Sequence, residues 1–274
     1  MSPISIPGKV TLQKEFIAQS FMYLNPDTFG LWSPGQISTE LWLDAADVST
    51  ITASGGAVSQ WDDKSGNNYH VSQATAADRP TVSTDAGNAS LLFDGTSDYL
   101  SHLVSGTIAY PTAAFIVCRN TNTNNDGHAL SINDSNSSSR YLTLTQRNSS
   151  GQAILYNVRN TASSVISSSS TFNTEIIGGV SNASNDNELF SNGTSVGTNT
   201  TNFPTPSYNN ITIGRLRYQL TAQHFSGHIH EVIWITQTLT TTTRQKIEGY
   251  LAHKWGLTAN LPSDHPYKLV GPTP

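Results

Sequence analysis

The sequence predicts an all-β protein: a two-sheet antiparallel sandwich of jelly-roll type, with one C-terminal helix and an extended N-terminal arm. Three observations predict it. Charged residues make up only 12% of the chain, while Ser, Thr and Asn abound and 20 glycines and 12 prolines punctuate it. That is the composition of a chain that turns often and presents a neutral polar surface. Between the turn signals lie roughly a dozen short runs rich in β-branched and aromatic residues, with no repeat at fixed period, which favours a sandwich over a propeller or solenoid. Within the β-rich part of the chain, one stretch near the C-terminus carries apolar residues at clear helical spacing. The length of 274 residues fits one large β-domain and a short arm.

In chain order, residues 1–36 stand apart. Pro3, Pro7, Pro26 and Pro34 interrupt them, and Phe16, Ile17, Phe21, Met22 and Leu24 offer one apolar helical face. Such an arm either docks on another body or packs back on its own domain, and both readings stay open. The domain itself is expected over residues 37–274. Glu40–Asp44 opens it with Trp42 as a core aromatic, followed by the alternating strand Val58–Asp62 and the turn Asp63–Asn67. Leu91–Gly95 and Asp98–Leu100 read as two short strands around a glycine turn. Ala113–Arg119 is a continuous apolar run and hence a buried strand; it holds the single cysteine, Cys118, as a structural thiol with no disulfide partner.

Polar, Asn- and Ser-rich loops at residues 120–127 and 133–139 separate that strand from a pair at Tyr141–Gln146 and Gln152–Val158. A Ser-rich edge segment, Ser163–Thr171, leads to the strand Glu175–Ser181. The clearest hairpin places Asn192-Gly193 between Glu188–Ser191 and Thr194–Gly197, the favoured two-residue reverse turn. After Ile211–Gly214, the run Gly227–Thr236 has apolar residues on both faces and reads as a central strand. Thr240 is placed to cap a helix that buries Ile247, Tyr250, Leu251 and Trp255 and stops at Gly256, and Leu261–Tyr267 should run back over the surface as a clasp.

The formal net charge of −5 and the absence of Lys/Arg clusters exclude a nucleic-acid backbone or an anionic membrane as natural partners. No charged start followed by an apolar segment marks a secretory signal, so assembly inside a cell with release by lysis, or export by another route, is expected.

These pieces resemble a known family. LWLDAADVSTI, WDDKSGNNYH, LLFDGTSDYL, ELFSNGTSVGT, ITIGRL and FSGHIHEVIWI, with the helix ending LAHKWGL, are similar in kind and order to the laminin-G-like branch of the concanavalin A-like lectin/glucanase superfamily, over most of residues 39–267. The closing LAHKWGL and LPSDHPY look most like versions found in bacteriophage structural proteins and bacterial surface proteins. The resemblance implies a jelly roll, and it carries fold more strongly than activity because the shared residues are turns and core positions.

Glycoside hydrolases of this superfamily commonly carry Glu-x-Asp-x-Glu on one strand, and this chain has no such run; Glu175, Glu188 and Glu231 are isolated. Catalysis is therefore not expected. His228 and His230, two apart on one strand, are candidate zinc ligands with His224 or His70 as a third, while Glu231 should point to the opposite face. The acidic turns Asp44/Asp47, Asp62/Asp63 and Asp94/Asp98 are where calcium is possible, against the alternative that each Asp caps its own turn. Tyr69, Tyr99, Tyr110, Tyr208 and Tyr218 are candidate sugar platforms, or else core rings. Together these readings point to a non-enzymatic bacteriophage virion protein, a capsid decoration or tail-appendage subunit at the virion surface. It would be held to other virion proteins by residues 1–36, form a homo-oligomer and adhere to cell-surface glycans. A stand-alone lectin module and a carbohydrate-active enzyme are the alternatives.

Overall fold

The computed structural model describes residues 32–108, 112–122, 127–135, 140–147, 152–159, 162–169, 173–183, 186–200, 208–216 and 223–274. Its strands in chain order are β1 (Leu41–Asp44), β2 (Ile51–Ser54), β3 (Ala57–Trp61), β4 (Val71–Ser72), β5 (Thr81–Asp85), β6 (Asn88–Asp94), β7 (Leu100–Ile108), β8 (Thr112–Asn120) and β9 (Leu130–Asn133). They continue with β10 (Arg140–Arg147), β11 (Gln152–Arg159), β12 (Ala162–Ser169), β13 (Glu175–Ala183), β14 (Asp186–Ser191), β15 (Thr194–Asn199), β16 (Tyr208–Ile213) and β17 (Ser226–Ile235). The helix α1 (Thr241–Lys254) follows.

Among the described residues the named strands all pair antiparallel. One sheet runs β15-β14-β13-β8-β17. The far edge of β17 is shared between β6, along Ser226–Ile229, and β1, along Glu231–Trp234, with β5 beyond β6. The second sheet runs β12-β11-β10-β9-β16-β7-β4-β3-β2. A bridge between Ala57 and Thr81 links the two at one edge.

The two sheets enclose one apolar core that includes Leu41, Leu43, Trp61, Phe93, Ile116, Cys118, Ile213 and Trp234. A second core lies between the outer face of the first sheet and α1, built from Trp42, Phe115, Val117, Ile233 and Ile235 against Ile247, Tyr250, Leu251 and Trp255. The described residues thus form a sandwich with one α-helix laid on its outside. Covered from both sides, all ten residues of β17 are buried, as a strand with apolar side chains on both faces must be.

Local signals act as the residues dictate. The Thr240 hydroxyl accepts from the Thr243 backbone N–H at 3.1 Å and caps α1, and Gly256, at φ +70°, ends it. Asn192 and Gly193, at φ +48° and +81°, make the two-residue turn between β14 and β15. The terminal segment is a clasp: His265 Nε2 lies 3.2 Å from Glu248, His253 Nε2 lies 2.8 Å from the Tyr267 carbonyl, and Tyr267 packs over Gly249. Residues 1–31 of the expected arm lie outside the described residues, whereas Trp32–Gln36 are seated on the domain. Trp32 is buried edge-on against Tyr250, and its backbone N–H donates to the Pro272 carbonyl at 3.2 Å.

Candidate functional site

The residues with the most concentrated chemistry lie where β1, β17 and α1 meet. Opposite β8, β17 carries a β-bulge between Ile229 and Glu231. An extra residue in one strand breaks the alternation of side chains. His230 and Glu231 therefore both face α1: the His230 ring lies 5.1 Å from that of Trp255, and Glu231 accepts from Trp255 Nε1 at 2.7 Å. This corrects the expectation, drawn from strict alternation, that Glu231 points away from the histidines. Glu231, fully buried, also accepts from Trp42 Nε1 at 2.7 Å and the Tyr250 hydroxyl at 2.9 Å, and Lys254 Nζ lies 2.8 Å away. Burial raises its carboxyl, and the Lys254 ammonium opposes that rise.

Lys254 also reaches Asp44 at 2.6 Å, and Lys64 lies 3.0 Å from Asp44 and 2.9 Å from Asp47. Burial would push the Asp44 carboxyl up, but the two ammonium groups outweigh it and hold it below the ordinary carboxylate range. Lysine nitrogens thus stand at Asp44 and Asp47, where a calcium ion would have to sit. The other acidic turns are taken up by nearby backbone and side-chain donors. Asp63 accepts from the N–H groups of Trp42, Ser65 and Tyr69 and from the Ser65 hydroxyl. Asp62 accepts from Gln60 Nε2 at 2.7 Å. Asp94 accepts from the N–H groups of Thr96, Ser97 and Asp98, and Asp98 accepts in return from the Asp94 N–H at 3.0 Å.

The histidine pair is likewise committed. His228 Nδ1 meets the Ser90 hydroxyl at 3.0 Å; His230 Nδ1 meets the Ala89 carbonyl at 2.8 Å and its Nε2 lies 3.4 Å from Asp85. Burial lowers both pKa values, favouring neutral rings. His70 and His224 lie elsewhere, on the Asp63 backbone and the Asp98 carbonyl. Among the described residues no three His, Cys, Asp or Glu side chains gather as a metal site would require.

Of the tyrosines, Tyr208 is 1% exposed in the core between the sheets, which corrects its reading as a platform: its ring has no free face. Tyr69 is half-buried against that core and tilted on His102, and Tyr99 lies under the Arg215 guanidinium at 3.4 Å. Tyr110 and Tyr218 lie outside the described residues.

An open cleft of about 670 Å³ lies beyond the C-terminal end of α1. The end of β5 provides Asp85, β8 provides Arg119, the start of β13 provides Glu175 with Thr174 just before it, the β14–β15 hairpin provides Ser191 and Asn192, and the segment after α1 provides Leu257 and Asn260. Asp85 is a buried hub: it accepts from Arg119 Nε at 3.0 Å, from Arg119 Nη2 and from the Thr174 hydroxyl at 2.7 Å. Burial would raise its carboxyl, yet the bonds from Arg119 and Thr174 prevail and hold it below the ordinary range. Sequence reasoning missed this cleft because its walls come from five separated segments, with no motif among them.

No family model matches the chain. No curated protein matches it either. Solved structures do. Domain 4 of AbnA, a GH43 extracellular arabinanase from Geobacillus stearothermophilus solved with arabinotriose, superposes with a TM-score of 0.50 at 12% identity, covering 66% of this chain and 89% of that one. The ligand-binding domain of botulinum neurotoxin serotype D, solved with N-acetylneuraminic acid, gives 0.56 at 14% identity, covering 79% and 52%. The binding domain of botulinum neurotoxin DC, in complex with rat synaptotagmin II, gives 0.55 at 10%, covering 80% and 52%. The chain spans about half the length of the neurotoxin domains, and at these identities the likeness is one of fold alone, an all-β sandwich.

Proposed function

We propose that this chain is a non-catalytic, glycan-binding sandwich module. The observation that carries the reading is the state of Asp85 at the cleft. Glycoside hydrolysis needs an acid with a raised pKa that surrenders a proton to the leaving oxygen. Asp85 is instead clamped as a carboxylate by Arg119 and Thr174, which suits an acceptor that orders its neighbours. The sugar-bound sandwich domains of like fold support the binding half of the reading. A glycan array probed with the purified full chain tests it, beside turnover assays on polysaccharides. Binding without hydrolysis is expected; hydrolysis that is lost in Asp85→Asn would overturn it.

We further propose a setting for the module: display on a bacteriophage particle, anchored by residues 1–36 and present in several copies. The support is the likeness of LAHKWGL and LPSDHPY to closing segments found in phage structural proteins and in bacterial surface proteins, together with the low-charge, loop-rich composition. Many copies would turn weak single-site binding into useful adhesion. Removing residues 1–31, which leaves the packed Trp32 in place, should abolish association with particles while leaving the sandwich folded. Unchanged attachment would remove the anchor role.

A further inference from the structure

We infer that the cleft beyond α1 is a saccharide subsite that takes a neutral, polyhydroxylated sugar. This rests on the glycan-binding reading and adds a place and a chemical class to it. The cleft volume, about 670 Å³, falls within the roughly 300–1,000 Å³ of small-ligand sites.

The cleft keeps hydrogen-bonding groups that the fold leaves unused. Asp85 takes Nε and Nη2 of Arg119, so Nη1 has no protein partner among the described residues, on a side chain 33% exposed. Asn192 spends its amide oxygen on the Ile176 N–H at 3.0 Å, which fixes the group and leaves its NH₂ unpartnered. The Ser191 hydroxyl and the Asn260 side-chain amide likewise have no protein bond among the described residues. Thr174 donates to Asp85 and retains lone pairs to accept. Donors and acceptors thus line one cleft together, with Leu257 as an apolar lining residue. Hydroxyls that both donate and accept, on a ring with C–H faces, match that lining.

Charge selects among sugars. Among the described residues the one cation lining the cleft is the Arg119 guanidinium, and it is already paired with Asp85. An anionic sugar would bring a further negative charge without a free cation to meet it, which is costly near a partly buried acid. Among the described residues no aromatic ring lines the cleft to stack on the sugar, so a single site should bind weakly, on the order of millimolar.

The test is a titration of the isotopically labelled full chain with galactose, mannose and N-acetylneuraminic acid, followed by amide NMR shifts. Neutral sugars should move the amides of Thr174, Ser191, Asn192, Gly256 and Asn260, with N-acetylneuraminic acid several-fold weaker. Asn260 is exposed, so its replacement spares the core. Asn260→Ala should weaken binding by about threefold to tenfold, and Asn260→Trp should block it, both with unchanged thermal midpoint. If sugars bind but shift other residues and Asn260→Trp leaves affinity intact, the subsite is wrong while the glycan reading stands. Tighter binding of N-acetylneuraminic acid overturns the chemical class. If neither this titration nor the glycan array shows binding, both the subsite and the glycan reading fall.

Discussion

His230 and Glu231 are neighbours in sequence and point to the same face, because the β-bulge in β17 sets both side chains against Trp255. The consequence is a buried carboxylate with indole, phenol and ammonium donors from β1 and from α1 with its C-cap. Glu231→Gln keeps the shape but replaces two acceptor oxygens by one and sets an NH₂ near an indole N–H or an ammonium. Leaving a buried ion pair half made costs about 3–5 kcal/mol. The urea midpoint should fall accordingly; a loss below about 1 kcal/mol would mean that the cluster does not hold α1 to the sheet.

Asp98 predicts a pH signature. Burial and the nearby carboxylates of Asp94 and Asp78 raise its pKa to about 6, against the Asp94 N–H bond that lowers it. The folded state therefore binds this proton more tightly than the unfolded state. The resulting penalty is full above pH 6, shrinks as pH falls through 6 toward 4, and vanishes below the unfolded value. Asp98→Asn should stabilise the protein at pH 7.5 by on the order of 1 kcal/mol, with little change at pH 4. His224, His228 and His230, whose pKa values burial lowers, act in the opposite sense as pH falls, so the difference between variant and parent melts isolates Asp98.

Metal removal should be silent. Lys64 and Lys254 occupy the Asp44/Asp47 turn, and Asp63 and Asp94 are filled by backbone and hydroxyl donors. The thermal midpoint should not change between excess EDTA and millimolar calcium. A calcium-dependent rise of several degrees would show that one of these turns opens to coordinate the ion.

Gly227 should tolerate no side chain. At φ +145°, a Cβ there would sit 2.1 Å from the Arg119 carbonyl oxygen in the paired strand β8. Gly227→Ala should cost more than about 3 kcal/mol or prevent folding. Gly55, at φ +59° with nothing within 4 Å of such a Cβ, is the control and should lose only about 1 kcal/mol on the same change. Equal midpoints for the two variants would contradict the close approach of β17 to β8.

By itself, the sequence determined the local elements whose signals are short-range. Thr240 and Gly256 bound the helix, Asn192-Gly193 closes its hairpin, and the apolar run of β17 requires cover on both faces; each of these rests on residues a few positions apart. The short strands β2, β4, β5 and β9 escaped that reading, since two to five residues with mixed polarity carry little periodicity and form because a neighbouring strand supplies their hydrogen bonds. Only the tertiary structure decided the chemistry. Alternation places Glu231 on the wrong face, because a bulge is set by pairing with β8. The acidic turn Asp44/Asp47 meets lysines 17 or more positions away in sequence, one of them on α1. The cleft depends on Asp85, Arg119, Thr174 and Asn192 converging from four separate strands or turns. Burial, charge pairing and convergence are properties of distances through space, and linear spacing does not encode them.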